Sequence, residues 1–276
     1  MQRKEIKSRK DWLYGKYCID LPGNAHYDKF ELRQFIFIMK CIHIITPVKD
    51  SIELTLQTAE AILKSDFTVP FHYTIYNDFS TDENTKQLKE ASLKMGFELV
   101  NLSEITSHPS PNYLLVLQMA QEKAIAAEAG LLIVESDVIV KKHTLQSLFD
   151  GAQARKDCGI AAAVTVDEHE AINYPYLYAK GKENQVFPEK KHLSFCCSLL
   201  TTDFLRAFDF HSLNPEKNWF DVTISHQALE KGFVNYLFTT LTVWHRPHSS
   251  RPWKQLKYTN PLKYYWLKFT KGLDKI

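Results

Sequence analysis

The sequence contains no run of about 18 apolar residues, so no transmembrane helix is expected from it. Its longest candidate, Phe35 to Val48, is too short and is interrupted by Lys40 and His43. The basic N-terminus is followed by no apolar stretch with a cleavage site, so a secretory signal is not expected. Five cysteines (Cys18, Cys41, Cys158, Cys196, Cys197) lack metal-ligand spacing. An odd count with one adjacent pair makes a poor disulfide framework, and reduced thiols in a cytoplasmic protein are the simpler reading. There is no internal repeat and no low-complexity segment. Charge of one sign is not in excess either. The formal net charge of +2 argues neither for nor against an acidic partner, and no nucleic-acid partner is expected.

What is present suits a globular α/β protein. At 276 residues the chain fits one large domain or two small ones, and 45% hydrophobic with 24% charged residues is ordinary for such a core. Residues 1–38 are polar, basic and aromatic without a sustained period, and are read as an N-terminal arm. Met39 directly precedes the first clear strand and is read as a candidate natural start; a chain beginning there is expected to keep full activity.

From residue 41 the pattern alternates. Cys41 to Thr46 is a strand closed by Pro47, and Asp50 or Ser51 caps a helix with Ile52, Leu56, Ala59 and Leu63 on one face. Phe71 to Tyr76 is a second strand, running into a loop of helix-capping residues, Asn77 to Asp82. A helix from Glu83 to Met95 ends at Gly96, and Phe97 to Leu102 forms a third strand. Leu114 to Ala129 reads as a helix stopped by Gly130, and Thr144 to Ala154 as another. The order β-α-β-α-β-α-β-α implies a mostly parallel sheet with right-handed crossovers. Later come strands at Ile160 to Val166, Phe195 to Leu200 and Val234 to Val243, with helices after Thr202 and from Asn218 to Lys231. The long tyrosine-rich span between Asp167 and Leu193 is read as an irregular, acceptor-binding segment.

The chain is organised around Leu131 to Val140. A continuous apolar run, Leu131 to Val134, fits a strand covered on both faces. It runs straight into Glu135-Ser136-Asp137. Two acids at alternate positions share a face, and ligands in open α/β sheets bind beyond the carboxyl ends of strands. Converging carboxylates favour a hard divalent cation. By itself the tripeptide reads first as a turn that happens to carry acids.

Four features taken in order resemble the family 2 glycosyltransferases. They are Thr46-Pro47-Val48 at the end of the first strand, the Asn77-Asp78-Phe79-Ser80-Thr81-Asp82 loop, Glu135-Ser136-Asp137, and Asp221 on a late helix with His245 on a later strand. The resemblance covers roughly Cys41 to His245. It implies the GT-A fold, a Rossmann-like three-layer α/β sandwich with a mostly parallel central sheet, over residues 39–250. It also implies an inverting transferase that moves a sugar from a nucleotide-diphospho-sugar donor to a hydroxyl of a glycan or lipid-linked acceptor, as in polysaccharide biosynthesis.

By that resemblance, Pro47, Asp78, Glu135 and Asp137 form the nucleotide-sugar site, and Asp137 with His245 holds Mn²⁺ or Mg²⁺. Asp221 is the catalytic base, and its Trp219-Phe220 flank would desolvate it and improve it as a base. The sequence departs from the family pattern at Asn77, Phe79, Glu135 and Phe220, where the family has Asp, Gly, Asp and Glu. Ser80, Thr81 and Asp82 are alternatively caps of the next helix, and Asp221 alternatively an N-cap. Arg246 and Arg251 are read either as phosphate clamps or as solvated loop charges.

Two other readings remain open. One is a degenerate, non-catalytic module of the same fold that binds a nucleotide sugar or pairs with an active transferase. The other is a nucleotidyltransferase, against which stands the lack of a glycine-rich phosphate loop at Pro47-Val48-Lys49-Asp50. The tail, residues 251–276, mixes lysines with Tyr264, Tyr265, Trp266 and Phe269. It is read either as an amphipathic helix packed on the core or as a peripheral contact with the inner face of the membrane.

Overall fold

The computed structural model describes residues 39–216, 219–246, 256 and 260–271. The expected N-terminal arm and Arg251 lie outside the described residues.

The apolar alternation builds β1 (Ile42–Val48), α1 (Ile52–Leu63), β2 (Phe71–Asn77), α2 (Asp82–Met95), β3 (Glu98–Asn101), α3 (Tyr113–Ala126), β4 (Gly130–Val134) and β5 (Val138–Val140). The second half adds α4 (Thr144–Gln153), β6 (Cys158–Val166), β7 (Val186–Pro188), β8 (Cys197–Leu200), α5 (Thr202–Ala207), α6 (Phe220–Glu230), β9 (Val234–His245) and α7 (Pro261–Lys271). The strands form one sheet in the order β3-β2-β1-β4-β8-β6-β9-β5, with β7 pairing to β9. Neighbours from β3 to β4 are all parallel. Beyond β4 the sheet is mixed, since β8 runs antiparallel to both its neighbours while β6 and β9 are parallel.

β4 shows why the sheet lies between two helical layers. Leu131 and Ile133 enter one core with residues of α3, α5 and α6, while Leu132 and Val134 enter a second core with residues of α1, α2 and α4. Period-two alternation of a wholly apolar strand thus fills both faces, as a sheet covered on both sides requires.

Helix ends follow local chemistry. Thr81 caps α2 by accepting from the Asn84 amide, and Gly96 closes it in the left-handed region at φ 83°. Ser51 precedes α1 without a side-chain cap bond, and Asp50 turns away at φ 59°. Its carboxylate instead accepts from the Thr81 amide and the Asn84 side chain, tying the two loops together. α3 ends earlier than the sequence suggests. Glu128 takes φ 53°, and Gly130 opens β4 rather than ending the helix. A side chain at Gly130 would meet Met39 Sδ at 2.8 Å.

His43 of β1 is buried, with Nε2 3.0 Å from Thr74 Oγ1, whose own proton goes to Glu98. Burial first, and then the charge of Lys123, lower its pKa to about 4. The unfolded chain takes up this proton near the ordinary value of 6.5; the folded one refuses it until about 4. Stability therefore falls as pH drops through that window, by about 3 kcal/mol at its lower end. His43→Gln keeps a donor to Thr74 but does not titrate. Urea unfolding at pH 7 and pH 4.5 is expected to show wild type losing about 2 kcal/mol more than this variant. Equal losses would contradict the account of His43.

Candidate functional site

Parallel register brings three predicted residues to one edge of the sheet. β1 pairs with β2 so that Val48 faces Asn77, and with β4 so that Ile45 faces Ile133. Pro47 at the end of β1, Asp78 after β2 and Glu135 after β4 therefore share the carboxyl edge.

The Asp137–His245 pair comes from the far side of the sheet. β5 pairs antiparallel with β9 so that Val138 faces His245, and the Arg246 amide donates to the Asp137 carbonyl at 2.9 Å. His245 Nε2 consequently lies 3.6 Å from Asp137 Oδ2, with both side chains buried. His245 Nδ1 sits 2.7 Å from the Tyr174 carbonyl, which only accepts, so Nδ1 carries a proton. That leaves Nε2 aimed at Asp137, the arrangement of a metal-binding imidazole with its other nitrogen anchored. Burial alone would lower the imidazole pKa, but Asp137, with Glu135 and the Tyr174 carbonyl, raises it above its ordinary value.

Glu135 lies beside the pair. Its amide donates to the Cys196 carbonyl at 3.0 Å, continuing the β4–β8 ladder in which Val134 faces Cys197. The Cys196 thiol in turn donates to Glu135 Oε2 at 3.1 Å. Burial, then the charge of Asp137, raises the Glu135 pKa, and Asp221 adds to the same push. Ligand atoms of Glu135, Cys196 and His245 all lie within 4.8 Å of one another. The donor set and its spacing fit a divalent cation.

Asp221 sits in the first turn of α6, after a Trp219 N-cap that makes no side-chain cap bond. It is therefore not the N-cap itself; its Oδ1 accepts from the Val222 amide at 2.9 Å. Its negative charge adds to the upward push on the pKa values of Glu135, Tyr113 and Tyr176. The Tyr113 hydroxyl is buried with no hydrogen-bond partner, and its ring stands 6.3 Å from that of Phe220, the residue before Asp221.

Asp78 is engaged by the loop that precedes α3. Its Oδ2 accepts from Ser110 Oγ and the Asn112 amide, and its Oδ1 from Asn112 Nδ2, each at 2.8 Å. The carboxylate thus fixes the loop that delivers Tyr113 to the site. Asn77 donates to Thr85 and Asn101 and accepts from the Ser80 amide, so it organises the loop internally. Phe79 keeps φ 57°, the conformation the family's glycine would supply, at a cost of about 1 kcal/mol for a side chain there.

Pro47 stands opposite Tyr76 in the β1–β2 ladder. Arg246 donates to Gln57, stacks on Trp244 at 5.0 Å, and lines a cleft with Leu54, Asp167 and Glu168. Sequence reasoning missed Cys196 and Tyr113. Cys196 lacks any spacing signal, because its partner arrives through antiparallel pairing 61 residues away. Tyr113 follows the loop that Asp78 grips, and only that grip would have drawn notice to it.

No protein-family model and no curated protein sequence matches the chain. Solved structures do. Residues 1–349 of TarS from S. aureus match at TM-score 0.55 and 16% identity, over 74% of this chain and 60% of that one. GalNAc-T7, solved with UDP, GalNAc and Mn²⁺, matches at TM-score 0.58 and 10% identity, over 76% and 44%. The mannosyltransferase PcManGT from Pyrobaculum calidifontis, solved with GDP-Man and Mn²⁺, matches at TM-score 0.55 and 12% identity, over 83% and 64%. The chain spans less than two thirds of each of these. At such identities what is shared is architecture: this chain has the GT-A glycosyltransferase fold.

Proposed function

We propose that the protein is a metal-assisted inverting glycosyltransferase, moving a sugar from a nucleotide-diphospho-sugar to a hydroxyl of a glycan or lipid-linked acceptor. The observation that carries this reading is the 3.6 Å approach of His245 Nε2 to Asp137, with Nδ1 anchored on Tyr174, beside Glu135 at the carboxyl edge of a GT-A sheet. Neighbours of that fold were solved with UDP-GlcNAc, or with GDP-Man and Mn²⁺.

Asp137 and His245 would hold Mn²⁺ or Mg²⁺, with Glu135 beside them. The cation, when bound, neutralises charge that grows on the departing nucleoside diphosphate. Pro47 and Asp78 mark the nucleoside end. Three of the four acceptor positions on the Asp78 carboxylate are taken by Ser110 and Asn112, which leaves one for a ribose hydroxyl or a base N–H. Asp221 takes the proton of the acceptor hydroxyl.

The test is release of nucleoside diphosphate from a panel of sugar nucleotides with Mn²⁺. Slow hydrolysis of one donor, abolished by chelation, is the expected result. Release from none of them by a folded protein would favour the degenerate binding module instead. The internal engagement of Asn77, where the family has an acid, is the observation on that side.

Among the described residues no helix is long and apolar enough to cross a membrane. α7 nonetheless exposes Leu262 (85%), Tyr265 (50%), Trp266 (62%) and Phe269 (82%), while Tyr264 is buried. These four lie at i, i+3, i+4 and i+7, one continuous stripe, with Lys263 exposed beside it. Apolar and aromatic residues facing outward among lysines suit an anionic lipid surface, and the reading adds peripheral contact from the cytoplasmic side. Flotation with anionic vesicles is expected to carry the wild type and to fail for Trp266→Ser/Phe269→Ser. Equal flotation of the two would remove the membrane from the account.

A further inference from the structure

We propose that Cys196 is itself a ligand of the cation site, so that the site prefers a thiophilic ion of the Zn²⁺ or Co²⁺ kind over Mg²⁺. The inference rests on the cation-site reading above and adds a sulfur donor to it.

The placement is fixed by backbone pairing rather than by a mobile side chain. β8 runs antiparallel beside β4, the Glu135 amide bonds the Cys196 carbonyl, and the thiol thereby reaches Glu135 Oε2 at 3.1 Å. Cys196 is 2% exposed, and Ser194 Oγ lies 3.3 Å from its sulfur, in position to donate to a thiolate. With His245 and Glu135 the sulfur forms a trio of three different donor types within 4.8 Å, and Asp137 stands 3.6 Å from His245.

Tetrahedral zinc with bonds of about 2.0–2.3 Å separates its ligand atoms by about 3.3–3.8 Å. The Asp137–His245 spacing already matches; the spacings in the trio, all within 4.8 Å, need close by at most about 1 Å, within reach of side-chain rotation. Hard Mg²⁺ and Mn²⁺ gain little from sulfur, whereas a mixed N, O and S set favours zinc and cobalt. On binding, the thiol S–H bond breaks, its proton leaves to solvent, and a sulfur–metal bond forms with no change of oxidation state.

The test is Co²⁺ titration of the metal-free full-length protein, followed by absorption spectroscopy, with Mn²⁺ binding measured in parallel by calorimetry. Wild type is expected to show a sulfur-to-cobalt charge-transfer band that Zn²⁺ removes. Cys196→Ser should lose the band and about a hundredfold in Zn²⁺ affinity while holding Mn²⁺ within a few-fold. Cys197→Ser should keep the band. Zinc-edge X-ray absorption of the wild type needs no variant and should show a sulfur shell near ~2.3 Å. Cobalt binding without the band, or a zinc shell of nitrogen and oxygen alone, would overturn the role of Cys196 and leave the cation site standing. Absence of binding by any divalent ion would overturn both.

Discussion

Asp221→Asn is expected to lower sugar transfer by about a hundredfold or more while donor binding stays near wild type. The amide is nearly the same size as the carboxylate and still accepts from the Val222 amide, so the first turn of α6 is kept. The lost charge at a helix N-terminus costs only about 0.3–1 kcal/mol of stability. What the amide cannot do is take a proton from an acceptor hydroxyl. The loss should fall on kcat, with KM for the donor little changed, because the contribution removed exists only in the transition state. A full kinetic comparison with one productive donor checks this. Wild-type turnover in the variant would reject Asp221 as the base.

Asp137→Ala is expected to weaken Mn²⁺ binding by about a hundredfold or more, since loss of even an outer-shell partner of a metal ligand typically costs 10–100-fold. The carboxylate is the buried partner of His245 Nε2, and its removal takes away one of the two ligands assigned to the cation. The ladder that positions both residues is made by backbone, with the Arg246 amide on the Asp137 carbonyl and Val138 opposite His245, so the sheet should survive. Calorimetric titration of Mn²⁺ into both proteins, with circular dichroism confirming the fold, reads the effect. Identical isotherms would show that Asp137 is no ligand.

Much of the parallel half of the molecule was legible in the sequence. β1, β2 and β4 announce themselves as apolar runs; β2 and β4 end where an acid begins, while β1 runs on through Pro47 to Val48. The wholly apolar β4 correctly implied helices on both faces. The end of α3 was misplaced because Gly130 looks like a helix stop. The chain instead turns at Glu128, and the glycine is spent on close packing against Met39.

The site was legible only as a set of separate acids. Their convergence depends on pairings that no local pattern encodes. β9 shifts register against β6 between Ala163 and Val164, and its far end swings onto β5 to bring His245 to Asp137. β8 enters antiparallel and delivers Cys196 to Glu135 in the same way. Phe79 shows the opposite case. The glycine of the family pattern is gone, yet the left-handed turn is kept, held by Asn77 and the Ser80 amide.

One measurement tests the central claim most directly: calorimetric binding of UDP and GDP to the wild-type protein, with Mn²⁺ and again with chelator. A cation cradle at the carboxyl edge of the sheet predicts that one of the two nucleotides binds with Mn²⁺ and is released when the ion is removed. Binding of neither, or binding that chelator leaves untouched, would contradict it.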